Sequence, residues 1–566
     1  MKKHVITAVL AFFLLFPCFG PAHGAFFSKG SNYSGASYTY FLAGYMEYRA
    51  GNLDAALDLY RKALKAAPNN PDILYEIANI QVKKGRVSDA REALRKALAA
   101  DPSHVEAHFL LGGVLEAAGD KAGAMREYER VIKDDPQNEE AYLHMATIYT
   151  EQNQISMAME ILTGLIEKKP DSLLAYYYRG RIRAMQKEFE PALEDFDKTL
   201  RMSPGFGAAL LDSAAILEML DRGTEAEERY REALKAAPGN MMLRERLGRL
   251  LVREKKLDQA VNEFEEIKKF APTSTDLRTK LGILYLEREM YDQAINEFSF
   301  VLKAEPGNTQ ARFFLGAAYE EKKAFKEAAE AFRMTPEDAD LYRDARMRLS
   351  LVLMQDGRLD EAVDVAKGLR QKFPEDVDLM VFMGGLLEEA KRFEEAFSLL
   401  EEATGKAPEN AAAWFSLGVV NDKLGRTDAV VSSMEKVIAI NPKHATALNY
   451  LGYTFAEKNM RLDDAEKLIL RALEERSDDG YFLDSLAWVY YRKGNFVKAE
   501  ATQKKALALV PDDPVILDHM GDILSAQGKN GEAAQYYEKA IEKGVENKDD
   551  VEAKLKKIRK ARSSGK

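Results

Sequence analysis

In RMSPGFGAALLDSAAILEMLDRGTEAEERYREALKAAPGN, residues 201–240, Pro204 and Pro238 stand 34 residues apart. Counting a unit from residue 207, Ala214 is eighth, Ala226 twentieth, Tyr230 twenty-fourth and Pro238 thirty-second. Laid toward the N-terminus, the same ruler meets Pro170, Pro136, Pro102 and Pro68. Laid toward the C-terminus, it meets Pro272 and Pro306, then Pro374, Pro408 and Pro442. Eleven prolines on one period mark internal repetition. The eighth position is small throughout: Gly44, Ala78, Gly112, Ala146, Gly180, Gly248, Gly282, Gly316, Ser350, Gly384, Gly418 and Gly452. After a one-residue insertion it continues as Ala487 and Gly521. The twentieth is alanine in fourteen of fifteen units, with Val430 the exception. The twenty-fourth is usually large, as in Tyr60, Tyr128, Phe196, Phe264, Phe298 and Phe332.

Such a pattern describes a packed helix pair. Small residues at positions 8 and 20 are expected where the two backbones come nearest, with the large side chain at 24 filling the space beside them. Proline at 32 cannot donate a backbone hydrogen bond, so it ends the second helix and sets the turn to the next pair. One pair cannot bury its apolar face alone, so neighbours stack and share a core. On these residues the chain resembles the tetratricopeptide repeat family over residues 37–547, in fifteen copies. The resemblance implies an all-α fold, a right-handed α-solenoid superhelix of about fifteen 34-residue helix-turn-helix repeats.

Two departures from register stand out. In the ninth unit position 32 is Asp340, and Pro336 arrives four residues early. The second helix is expected to stop near Met334, leaving residues 335–340 as a longer loop. This reads either as a bend between nine repeats (37–342) and six (343–547), or as a shortened helix with unchanged stacking. The other departure is the extra residue between Gly452 and Ala465, followed by Ser477-Asp478-Asp479-Gly480 in place of the Asn-Pro turn. From there to Asp522 the chain resembles the C-terminal block of many exported bacterial repeat proteins.

Composition narrows the function. Eighty-one basic and 91 acidic residues give a net charge of -10, which argues against nucleic acid as a partner. The single cysteine, Cys18, builds neither a disulfide framework nor a cysteine-based zinc site. Lys2 and Lys3, an apolar run from Val5 to Phe16 and Ala22-His23-Gly24 are the three parts of a secretory signal peptide (1–24) cleaved after Gly24, with 25–36 as a linker. A retained anchor and lipidation at Cys18 are the rival readings, and Pro17 occupies a lipobox position that needs a small residue. The expected location is the periplasm or the envelope. The tail from Lys548 to Lys566 holds eight basic and three acidic residues, with Val551, Leu555 and Ile558 at helical spacing. It reads as a solubilising capping helix, or as a basic contact for an anionic membrane surface or acidic partner.

No catalytic motif emerges: there is no GxxxxGK[ST], HExxH or GxSxG. His104 and His108 flank Glu106 at helical ligand spacing, but His104 falls in an inter-repeat turn and His108 at a packing position. Neither a metal nor another cofactor is expected. Some glycosyltransferases carry similar arrays ahead of a catalytic domain; here nineteen residues follow the last repeat, so no enzyme is expected.

What remains is the inner groove. In the family it resembles, positions 2, 5, 9 and 12 of each first helix point inward. Carried over, these are Tyr38, Phe41, Tyr45 and Tyr48 in the first repeat, then Tyr75, Phe109, Tyr177 and Arg249, with Tyr453, Tyr481, Trp488 and Tyr491 near the far end. Aromatic side chains suit anchoring of a peptide segment, because each buries much area at low entropic cost. They also suit plain packing between neighbouring helices. Trp488 reads as the anchor and Trp414, at the fourth position, as the packing tryptophan. The lysine-asparagine carboxylate clamp of cytosolic chaperone adaptors is missing: Asn79 has the right position, but its partner position holds Tyr75. The expected function is a non-catalytic scaffold of the bacterial envelope that binds other proteins in the groove, of the pilus, outer-membrane or exopolysaccharide assembly type. The alternative is a holdase-like chaperone for exported chains.

Overall fold

The computed structural model describes residues 35–563, and the stretch expected to be a signal peptide (1–24) and most of the expected linker (25–36) lie outside them. Among the described residues there are 31 helices and no strand. They form fifteen consecutive pairs, from Gly35–Arg49 with Leu53–Ala66 to Pro514–Ala526 with Asn530–Glu542, followed by one last helix, Lys548–Ser563. No described helix is long and apolar enough to cross a membrane. The chain divides into two compact units at Thr273 and Ser274, with seven pairs in the first and eight pairs plus the last helix in the second.

Local chemistry sets each boundary. Most first helices open on a side-chain cap at the last position of the preceding repeat, although those begun at Phe206 and Leu341 do not. Asn138, for example, accepts from the Ala141 amide at 3.1 Å, and Ser172 from Ala175 at 3.1 Å. These bonds satisfy amides that the helix start leaves orphaned. The turn inside every pair carries a residue in the left-handed region, on the same 34-residue ruler. Gly51, Gly85, Gly119, Gly357, Gly425, Gly494 and Gly528 adopt it readily, whereas Asn153, Lys187, Asp221, Lys255, Glu289, Lys323, Lys391 and Asn459 adopt it against their Cβ. The extra residue of the thirteenth repeat sits in its turn, 458–461, where Arg461 is a second left-handed residue (φ 46°). The turn absorbs the insertion, and both flanking helices keep their usual lengths.

Packing within each pair refines the expectation drawn from sequence. The position-20 side chains are fully buried, Val430 included. The glycines at position 8, however, face the large side chain at position 24 of their own repeat. A Cβ on Gly112 would lie 2.6 Å from the Tyr128 ring, and one on Gly282 or Gly316 2.6 Å from Phe298 or Phe332. Small at 8 and large at 24 are thus two halves of one contact. In the ninth repeat the second helix ends at Arg333, as Pro336 requires, and is 9 residues long. Phe332 still shares a core with Ala345 and Leu349 of the next first helix, so stacking passes through the loop. That loop lies inside the second compact unit, so the nine-and-six division does not coincide with the two units.

Gly282→Ala should destabilise the second unit by about 1–3 kcal/mol, because its new Cβ displaces the Phe298 ring. Lys255→Gly should stabilise the first by roughly 1 kcal/mol, since it relieves a left-handed lysine. Denaturant titration of the two variants against the full-length parent measures both signs.

Candidate functional site

The N-terminal aromatic row divides between core and surface. Phe41 is buried against Tyr60, with ring centroids 5.4 Å apart. Tyr38 is exposed, while Tyr45 and Tyr48 are half-buried and polar-tipped. The Arg49 guanidinium donates to the Tyr45 hydroxyl at 3.4 Å, Asn79 donates to the Tyr48 hydroxyl at 3.4 Å, and the Lys83 ammonium sits 4.3 Å above the Tyr48 ring. Tyr75 lies against His104 (5.4 Å), and burial drives its hydroxyl pKa far up. Phe109 packs between Tyr128 and His144, each at 5.7 Å. Tyr177 is buried, donates to Asp212 at 3.0 Å and meets Phe206 edge-on at 5.1 Å. Arg249 is exposed beside Glu245 at 3.3 Å. Phe41 and Tyr177 are therefore packing residues, and Tyr38, Tyr45 and Tyr48 are the accessible part of the row.

Near the C-terminus a denser cluster forms from repeats thirteen to fifteen. Trp488 is only 8% exposed, held between the His519 ring (4.2 Å) and the Tyr491 ring (4.7 Å), both stacked. Its indole N–H donates to Glu457 at 3.0 Å. His519 Nδ1 lies 3.0 Å from both carboxylate oxygens of Asp484, which also accepts from Gln503. Tyr453 stands half-buried 6.5 Å from His519, and Tyr481 is 56% exposed at the start of its helix, apart from the stack. On the flank, Lys554 of the last helix bonds Asp518 at 3.0 Å and Asp522 at 2.7 Å. Val551, Leu555 and Ile558 of the same helix are buried against the final pair. This corrects the reading of the two tryptophans. Trp488 has both faces covered and pins three first helices together, whereas Trp414 is only partly buried, its N–H on the Pro408 carbonyl at 2.8 Å. The half-buried Tyr453 is the open edge of the cluster, and the exposed Tyr481 stands apart from it.

Sequence reading passed over Asp484, His519 and Glu457. One signal was available: Asp484 and Asp518 hold a fifth position, one repeat apart, where other repeats place an aromatic ring. His104 and His108 are engaged separately. His104 caps its helix at Ala107 and pairs with Asp72 at 3.4 Å, and His108 lies 2.6 Å from Glu127. Among the described residues no group of three or more potential ligands could hold a metal ion.

Known proteins agree with this architecture. Sequence profiles described as Tetratricopeptide repeat match residues 75–139, 220–275, 279–341 and 456–514, and a second such profile matches 115–179 and 353–418. Further repeat profiles match 44–85, 411–444 and 516–550. The chain belongs to the tetratricopeptide repeat family. It is 42% identical over 76 residues to the TPR repeat-containing protein PA4667 of Pseudomonas aeruginosa, a match spanning 13% of each chain. Among solved structures it is similar to a tetratricopeptide repeat protein from Parabacteroides merdae, with 18% identity, 44% of this chain, 98% of that one and a TM-score of 0.38. It is also similar to Naa15/Naa10 bound to HypK-THB (14% identity, 92% and 99% covered, TM-score 0.37) and to MamA (26%, 30% and 92%, 0.28). The fold is an all-α solenoid of tetratricopeptide repeats, a fold that generally serves as a non-catalytic protein-interaction scaffold.

The buried pair has a measurable signature. Burial works against charge on His519, but the Asp484 carboxylate, joined by Asp518 and Asp522, outweighs it, so the imidazole pKa is raised. A raised folded-state pKa gives stability that is fully present below the unfolded value of about 6.5 and is lost as pH rises through the folded one. His519→Gln should cost about 3 kcal/mol at pH 6, because Asp484 is left buried without its cation. The deficit should shrink at pH 9, read by denaturant titration of parent and variant at both pH values.

Proposed function

We propose that the protein is an exported scaffold of the bacterial envelope, whose first helices present tyrosines to segments of partner proteins during pilus, outer-membrane or exopolysaccharide assembly. One observation carries the reading. Tyr38, Tyr45 and Tyr48 at one end, and Tyr453 and Tyr481 at the other, keep ring surface accessible although packing elsewhere buries aromatics of the same repeat fully. A tyrosine with an accessible face and a polar tip suits an interface better than a core. Export rests on the charged, apolar and small-residue succession that ends at Gly24. In the basic tail Lys554 is committed to Asp518 and Asp522, which leaves Lys556 and Lys557 outward for a peripheral contact with an anionic surface. A holdase role is the second reading, favoured by the spread of accessible rings along the chain rather than in one pocket.

Mass spectrometry of fractionated cells should find a mature N-terminus at Ala25 in the periplasmic or membrane-peripheral fraction; an intact Met1 in a cytoplasmic pool would overturn export. Tyr38→Ala combined with Tyr481→Ala, the two most exposed rings, should lower recovery of a stoichiometric crosslinked partner, by about 2 kcal/mol of affinity per anchor, and leave the melting curve nearly unchanged. Undiminished suppression of aggregation of unrelated proteins, with no defined partner recovered, would favour the holdase.

A further inference from the structure

Only two of the fifteen repeats place a carboxylate at position 6, Glu76 in the second and Asp212 in the sixth. Side chains at this position reach back onto the first helix of the preceding repeat. His144 lies 3.0 Å from Glu116, Arg348 lies 2.7 Å from Glu320, and Tyr450 donates to Asp422 at 2.7 Å. Asp212 is met there by two donors from repeat five. The Tyr177 hydroxyl donates to it at 3.0 Å, and buried Arg181 lies 3.7 Å away, its guanidinium 5.8 Å over the Tyr177 ring.

Glu76 has neither partner. Repeat one holds Phe41 and Tyr45 where repeat five holds Tyr177 and Arg181. Glu76 is 8% exposed, and its Oε2 has no hydrogen-bond partner. Asn79 bonds the carboxylate and also donates to the Tyr48 hydroxyl at 3.4 Å. Lys83 of the same helix stands seven residues on, about 10 Å along the axis. Its ammonium sits over the Tyr48 ring at 4.3 Å and forms no ion pair with Glu76. The junction draws a cation onto an aromatic face, yet the chain brings none to the acid. Burial pushes the Glu76 pKa up to about 7; Asp72 adds to the rise, while Asn79, Lys83 and His104 oppose it. On the preceding pair the ionisable side chains at the equivalent positions are Tyr45, Tyr48 and Tyr60. The buried face of the second helix of repeat two is Ala90, Ala93, Leu94 and Ala97, none of them ionisable.

We propose that Glu76 accepts an arginine from a segment of a partner protein, whose guanidinium takes the place beside it that Arg181 takes beside Asp212 and displaces Lys83 from the Tyr48 ring. The proposal rests on the scaffold reading above and adds the chemistry of the partner. Tyr45 and Tyr48 on the groove side are half-buried and held by long hydrogen bonds of 3.4 Å, so they can shift to admit it. Charge complementarity selects the occupant: a neutral segment leaves Oε2 unanswered, and an acidic one meets Glu76, Asp72 and Glu106. A planar guanidinium both stacks on a ring and bonds a carboxylate, which an ammonium does less well.

The test titrates the full chain into a labelled, end-capped peptide with one arginine between leucines and no other charge, read by fluorescence anisotropy. Saturable binding should tighten about tenfold from pH 6 to pH 8, because the guanidinium pairs with the ionised carboxylate. His104, whose pKa is raised to about 9 by Asp72 and Glu106 against its burial, stays mostly protonated over that range. A twin peptide with citrulline for arginine should bind about tenfold more weakly at pH 8 and lose the pH dependence. Glu76→Gln protein should behave in the same way with the original peptide, and should melt no lower than the parent because it removes a buried charge. Tyr45→Arg, which sets an arginine in the register of Arg181, should block the peptide and raise the melting temperature at pH 8. The twin-peptide comparison needs no variant. No saturable binding, equal binding of the two peptides, or an unchanged pH profile in Glu76→Gln overturns the proposal. A lysine twin bound as tightly overturns the choice of guanidinium. If crosslinked cells yield one stoichiometric partner equally with parent and Glu76→Gln protein, this inference fails while the scaffold reading stands. If neither captures one, the scaffold reading itself fails.

Discussion

Everything in the structure depends on one contact repeated in each pair, in which the position-8 residue of the first helix faces the position-24 side chain of the second. Where position 24 holds a ring the partner is glycine in every repeat but the sixth, where Ala214 matches Tyr230, and an ideal Cβ would lie within 2.9 Å of the ring at Gly44, Gly112, Gly248, Gly282 and Gly316. The contact sets how closely two helices approach, and the fully buried alanine at position 20 holds the same spacing from the other side. Where position 24 is smaller the arrangement adapts: Gly384 meets Leu400 and Gly418 meets Met434, both flexible aliphatic ends. Packing of this kind tolerates exchange of shape at constant volume and little else.

Once pairs are uniform, their stacking repeats as well. Ion pairs recur between consecutive repeats at the same registers, such as Lys322 with Asp292 (2.6 Å) and Lys493 with Asp463 (2.7 Å), each 30 residues apart. They are exposed and individually weak, and they add to registration more than to stability. The same regularity explains how the chain accommodates its two irregularities. An early proline removes the last turn of one second helix, and an extra residue enters a turn that already contains a left-handed position. Neither interrupts the shared core, because both fall where the backbone runs along the surface.

Uniform scaffolding also frees the first-helix surface to vary, and there the two units differ in chemistry. Repeats five to seven expose arginine and methionine. The C-terminal repeats expose Tyr481 and set Tyr450 beside a carboxylate, donating to Asp422 at 2.7 Å. The last helix closes the array by burying its apolar stripe and by holding Asp518 and Asp522 through Lys554, so a basic tail serves an acidic edge.

Helix count, turn sites, the small-to-large contact and the early end at Arg333 were all legible in the sequence, since each depends on residues within one 34-residue unit. A proline that cannot donate, or a glycine where nothing larger fits, acts locally and needs no knowledge of neighbours. The fate of the groove residues was not legible. Trp488 and Tyr453 hold equivalent positions in adjacent repeats, yet one is enclosed and the other half-open, because His519 of the following repeat folds over the indole. The Asp484–His519 pair and the hold of Lys554 on Asp518 link residues 35 and 36 apart, across repeats. Only the superposition of neighbouring repeats decides such contacts. Periodicity shows which face a side chain takes, and burial depends on what the next repeat lays over it.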